Sequence, residues 1–114
     1  MVKTSHYTPD RGDIVWIDFN PQKGHEQANK RPATVLSPRS YNIKSGLALM
    51  CPITSRIKGY PFEVPFAASK ISGAILADQV RSLDWHARSV SFIQKLPPGK
   101  LHKLQEKVVL LVTG

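Results

Sequence analysis

A single cysteine in 114 residues excludes an intrachain disulfide, so the chain has no covalent cross-link of its own and suits a reducing compartment. Cys51 sits in LALMCPIT, which reads as a buried strand where cysteine serves as a small hydrophobe rather than a nucleophile. Long hydrophobic runs are also missing. The longest aliphatic run, residues 108–112, is far short of the roughly 20 residues of a membrane helix. The opening MVKTSHYTPDRGD has no apolar segment that could act as a signal peptide. The expectation is a cytoplasmic protein with no membrane association.

Short chemical signatures are equally scarce. Neither G-x-G-x-x-G nor G-x-x-x-x-G-K-[ST] occurs, which sets nucleotide cofactors aside, and the hydrolase elbow G-x-S-x-G is absent. His6, His25, His86 and His102 are scattered, without H-E-x-x-H or paired cysteines, so neither a metal nor a cofactor is expected. Acidic residues are few: eight Asp and Glu stand against sixteen Lys and Arg, for a net charge of +8. The excess is spread along the chain, nine basic against four acidic in residues 1–60 and seven against four in residues 61–114. Such a balance favours a polyanionic partner, nucleic acid or an acidic protein, over a basic surface that is merely soluble.

Strand signals dominate what is present. Residues 13–19, DIVWIDF, are β-branched and aromatic, with Ile14, Trp16 and Asp18 on one face and Val15, Ile17 and Phe19 on the other. Residues 32–37 and 47–54 read as core strands joined by a polar connection, PRSYNIKSG. Residues 62–66, 73–79, 81–85 and 89–94 add shorter strands. Behind Pro97-Pro98-Gly99 the period changes: Leu101, Leu104, Val108, Leu111 and Val112 fall at helical spacing, predicting an amphipathic helix from Lys100. With 41% hydrophobic residues and no repeat or linker, this is one domain over residues 1–114, mainly β with a C-terminal helix. A small β-barrel or strongly bent sheet fits best.

The polar stretch 20–30, NPQKGHEQANK, is long for a connection in a compact domain and dense in chemistry, with Lys23, His25, Glu26 and Lys30 followed at once by Arg31. Pro32 pushes Arg31 toward an extended conformation at the mouth of a strand. An arginine-centred site can cleave RNA without metal, because the ribose 2′-OH is itself the nucleophile. Such a site must take that proton, return one to the 5′-oxygen and hold charge on the phosphoryl oxygens. A guanidinium suits the last task, since it offers paired donors to phosphate and stays charged. Thr54, ending the strand 47–54, could donate to the same phosphate, and Glu26 could act as a base or orient Arg31. On residues alone plainer readings stay open. Arg31 could be a surface arginine, Thr54 a strand terminus, Asp18 an exposed or loop-anchoring carboxylate, and Trp16 and Phe19 core rather than stacking platforms.

Taken together, three blocks resemble the MazF/PemK family of toxins, close to its MazF branch. They are GDIVWIDFNPQKGHEQANKRPATVLSPRSYN at 12–42, PITSRIKGYPFEV at 52–64 and GAILADQVRSLDW at 73–85. The resemblance implies an SH3-like barrel of the MazF/PemK/CcdB type, working as a homodimer. It implies a metal-independent endoribonuclease, an mRNA interferase that cuts single-stranded RNA at a short, ACA-like motif, leaving a 2′,3′-cyclic phosphate and a 5′-OH. By the same resemblance Arg31, Thr54 and Glu26 carry catalysis. RNA contacts are assigned to Trp16, Asp18, Phe19, Lys23, Lys30, Asn42, Lys58, Asp78 and Gln79. An acidic antitoxin would cover the basic surface, with Trp85 as a contact. Gyrase poisons of the CcdB type share the fold but depend on an aromatic-containing C-terminal tail, whereas this chain ends VVLLVTG. A non-catalytic RNA-binding module and a silent antitoxin partner are the other rivals.

Overall fold

The computed structural model describes residues 7–19 and 30–114. Seven strands and two helices follow one another as β1 (Asp13–Asp18), β2 (Lys30–Val35), α1 (Arg39–Ser45), β3 (Leu47–Thr54), β4 (Glu63–Ala67), β5 (Ser72–Leu76), β6 (Arg81–Asp84), β7 (Ser91–Lys95) and α2 (Lys100–Thr113). All strand pairs are antiparallel, in the order β4-β5-β3-β2-β1-β7, and the sheet curls around β3. That eight-residue strand is the pivot: its first half pairs with β6 and its second half with β5. The mainly β fold with a closing helix therefore stands as the sequence pattern suggested.

The sheet is covered on both faces, so the two faces read for β1 each meet a core. Ile14 faces a core with Cys51, Ile53, Val64, Phe66, Ile75 and Leu104. Val15 and Ile17 face a second core with Val35, Met50 and Leu83, against which Trp85 and Phe19 pack. Leu101, Leu104 and Val108 seat α2 on the first core, as their helical spacing predicts. At the far edge, Gln94 of β7 accepts the amide of Lys70 at 2.8 Å and ties that strand to the β4–β5 turn.

One element escaped the sequence reading. The polar connection PRSYNIKSG contains α1, a two-turn helix whose only buried residue is Asn42. No apolar stripe could announce it. Asp10 reaches across to accept the amide of Arg39 at its first turn (2.9 Å), and that bond holds the Asp10 carboxyl below its ordinary range. Gly46 ends the helix in the left-handed region at φ 75°.

Candidate active site

Strand register brings the two principal candidates together. Ala33 of β2 stands opposite Pro52 of β3, and two further residues along each strand lead to Arg31 and Thr54 on the same face. Both line one open cavity of about 620 Å³, with Phe19, Arg56, Gln79 and Arg81 also on its walls. Arg31 is exposed, the second residue of β2, and Thr54 is half-buried at the end of β3. The Thr54 hydroxyl accepts the amide of Arg56 at 3.1 Å. A hydroxyl carries one proton and two acceptor sites, so among the described residues its O–H is left to donate into the cavity.

Among the described residues, charge in the cavity has one sign. Arg31, Arg56 and Arg81 supply three guanidinium groups, and no acidic residue is among the described residues of its lining. Arg81 also lies over the Phe19 ring, 5.1 Å from its centroid, which fixes the ring as a wall. A concave surface of this kind concentrates positive potential and suits a phosphodiester. Arg56 and Arg81 were missed in the sequence. The only available signal was position, Arg56 two residues beyond Thr54 and Arg81 two beyond Gln79.

The other described candidates are not part of the cavity lining. Trp16, opposite Pro32 in the register, is 40% exposed, so it is not core. Asp18 is buried and pairs in register with Lys30, whose Nζ donates to the Ser89 carbonyl at 3.3 Å. Arg88, unnoticed in the sequence, donates from Nη1 to the carbonyls of Asp18 (3.2 Å) and Phe19 (3.0 Å). Its own carbonyl accepts the Asp18 amide at 3.0 Å, so the turn after β6 clasps the end of β1. Lys58 and Asp78 are exposed, and Asp78 lines a separate groove with Val80 and Val108. Lys23, His25 and Glu26 lie outside the described residues.

Asn42 requires correction. Its side chain is fully buried, donating to the carbonyls of Pro9 (2.8 Å) and Ser37 (3.1 Å) and accepting the Ser37 hydroxyl at 2.6 Å. An amide committed in this way anchors α1 and does not reach RNA. Cys51 is buried as read, and burial pushes its thiol up to about 12, with the Asp78 carboxylate adding to the shift. A thiol so protonated is no nucleophile. Trp85 is partly core: its indole Nε1 donates to the Asn42 carbonyl at 3.1 Å, while it also lines an open groove with Tyr7, His86 and Phe92.

Comparison with known proteins shows the family and the fold. The profile of the family described as PemK-like, MazF-like toxin of type II toxin-antitoxin system matches residues 10–112. The endoribonuclease toxin MazF of Escherichia coli K12 is 46% identical over 108 residues, covering 95% of this chain and 97% of that protein. Crystalline MazF of Deinococcus radiodurans is 47% identical, with a TM-score of 0.84 over 96% of this chain and 100% of the other. A MazE–MazF complex from the same organism matches at 42% identity and TM-score 0.84, covering 94% and 97%. The chain belongs to the PemK-like, MazF-like toxins of type II toxin–antitoxin systems.

Proposed function

We propose that this toxin is an endoribonuclease that cuts single-stranded mRNA in the cavity between β2 and β3, and so inhibits translation and growth. One observation carries the reading: Arg31 and Thr54, on neighbouring strands, line one open cavity whose charged residues, among those described, are all basic. In the proposed reaction the ribose 2′-oxygen attacks the adjacent phosphorus and the bond to the 5′-oxygen breaks. The 2′-OH loses its proton to a base and the leaving 5′-oxygen gains one, giving a 2′,3′-cyclic phosphate and a 5′-OH. Arg31 holds the charge that grows on the non-bridging oxygens, and Thr54 donates to one of them. Glu26 is the acidic member of the set, as base or as the group that orients Arg31. No metal takes part in this scheme.

Phe19 and Gln79 hold the bases beside the cleaved bond, and Trp16, Asp18, Lys23, Lys30, Lys58 and Asp78 contact the strand on either side, at an ACA-like motif. The chain acts in the cytoplasm as a homodimer, a reading supported by the outer end of α2, where Val109, Leu110, Leu111 and Val112 are exposed. No helix of the described residues is long and apolar enough to cross a membrane. An acidic antitoxin covers the basic surface and uses the half-open face of Trp85.

The test is incubation of purified protein with a long unstructured RNA in excess EDTA, with the product ends mapped. Discrete cuts bearing cyclic phosphate and 5′-OH ends are expected. Intact RNA, or cleavage only after a divalent metal is added, contradicts the scheme.

A further inference from the structure

Glu63 is a buried carboxylate that the proposed chemistry does not use. It opens β4, is 5% exposed, and points back at the loop 55–62 that leaves Thr54. Its Oε1 accepts the amides of Lys58 (3.1 Å) and Gly59 (2.9 Å), and its Oε2 lies 3.3 Å from the Lys58 nitrogen. Gly59 turns the loop at φ 82°, so two successive amides converge on one carboxylate.

The same loop is tied at both ends. Thr54 Oγ1 holds the amide of Arg56, and Lys107 of α2 donates to the Pro61 carbonyl. Between those ties Glu63 is the side-chain anchor, and the segment it anchors carries Ser55 and Arg56, both on the cavity wall, and then Lys58. A buried carboxylate is costly unless it is hydrogen-bonded, and here its bonds go to the backbone of the loop beside the reactive hydroxyl.

We propose that Glu63 is a positioning residue of the ribonuclease site: by fixing the loop 55–62 it holds Arg56 and Lys58 where their charges meet consecutive phosphates of the RNA strand passing Thr54. The proposal rests on the endoribonuclease reading above. Glu63 touches neither substrate nor the reacting atoms, and acts only through those two cations.

The experiment compares wild-type protein, Glu63→Ala and Glu63→Gln in cleavage of a defined RNA across a salt series, with exchange of the Lys58 and Gly59 amides followed in parallel. The Glu63→Ala variant should lose roughly ten- to a hundredfold in kcat/KM, the scale of a small misplacement, chiefly through a raised KM. Its salt dependence should flatten by about 0.7 in log–log slope for each phosphate that the displaced cations no longer neutralise. Amides 58 and 59 should exchange faster. Glu63→Gln keeps an oxygen that both amides can reach and should recover most of the affinity. In an Arg56→Ala/Lys58→Ala background, Glu63→Ala should add no further loss, because the cations it positions are already gone. If Glu63→Ala does not fold, Glu63→Asp is read in the same way, since it draws the carboxylate back from the loop. An unchanged KM and salt slope, or a loss that persists in full in the double-variant background, overturns the proposal. Wild-type protein that leaves RNA uncut overturns the ribonuclease reading itself, whereas active wild type with an unaffected Glu63→Ala overturns only this role.

Discussion

Thr54 owes its place partly to a neighbour without a side chain. A Cβ on Gly73 would lie 2.4 Å from the Thr54 carbonyl oxygen and 3.2 Å from Ile53 Cγ2, and its φ of 156° is one that side chains rarely adopt. Gly73→Ala should therefore push β5 away from the end of β3. The expected cost is on the order of 1–3 kcal/mol, the usual scale of overpacking, with slower RNA cleavage because Thr54 moves. Thermal unfolding and initial cleavage rates check both parts. Wild-type values for each would show that the strand end tolerates the shift. Some of this was legible in the sequence. Pro32 marked Arg31 as the start of a strand, and the strand pattern of LALMCPIT ended on Thr54. Asn42 was not legible, because a polar residue in a polar run carries no sign that its amide is spent inside the protein on Pro9 and Ser37.

Elements were readable where burial imposes a period. The segment 47–54 coincides with β3, and Lys100 begins α2, because long apolar patterns survive any tertiary context. Strand edges shifted by one to three residues elsewhere, as in β5, where residues 77–79 leave the sheet to form the turn toward Arg81. The helix α1 stayed hidden because its stability is tertiary, supplied by Asp10 and Asn42 rather than by an apolar face. The closing helix α2 gives the element-scale prediction. Leu104 is fully buried against Ile14 and Phe66 in the first core. Leu104→Ala should destabilise the protein by about 2–5 kcal/mol, the range for emptying a buried leucine site, as measured by denaturant unfolding. Removing the helix from Lys100 onward should uncover that core and cause aggregation. A soluble, active truncation would mean that the sheet closes without it.

At the scale of the whole molecule, the charge of +8 and the basic cavity act in the same direction. Contacts to six or more phosphates should make RNA affinity fall by several powers of ten between about 50 and 200 mM salt, because bound cations are released from the strand. Binding to a fluorescent single-stranded RNA across that range measures the slope, and a flat response would remove the basic surface from recognition. Composition alone favoured a polyanionic partner, an expectation the proposed function shares, and the three sequence blocks pointed to the family. The cavity itself was beyond reach, since its walls come from β2, β3, β6 and the end of β1, segments far apart in the chain that only strand register assembles. For the same reason Arg56 and Arg81 looked like ordinary surface arginines.

The most direct test of the central claim is the single-turnover cleavage rate of Arg31→Ala, with thermal unfolding confirming that the variant is folded. Loss of a guanidinium that stabilises transition-state charge should slow cleavage by at least about a hundredfold while the melting transition stays in place. A folded Arg31→Ala protein that cuts RNA at the wild-type rate would contradict the assignment of the β2–β3 cavity as the catalytic centre.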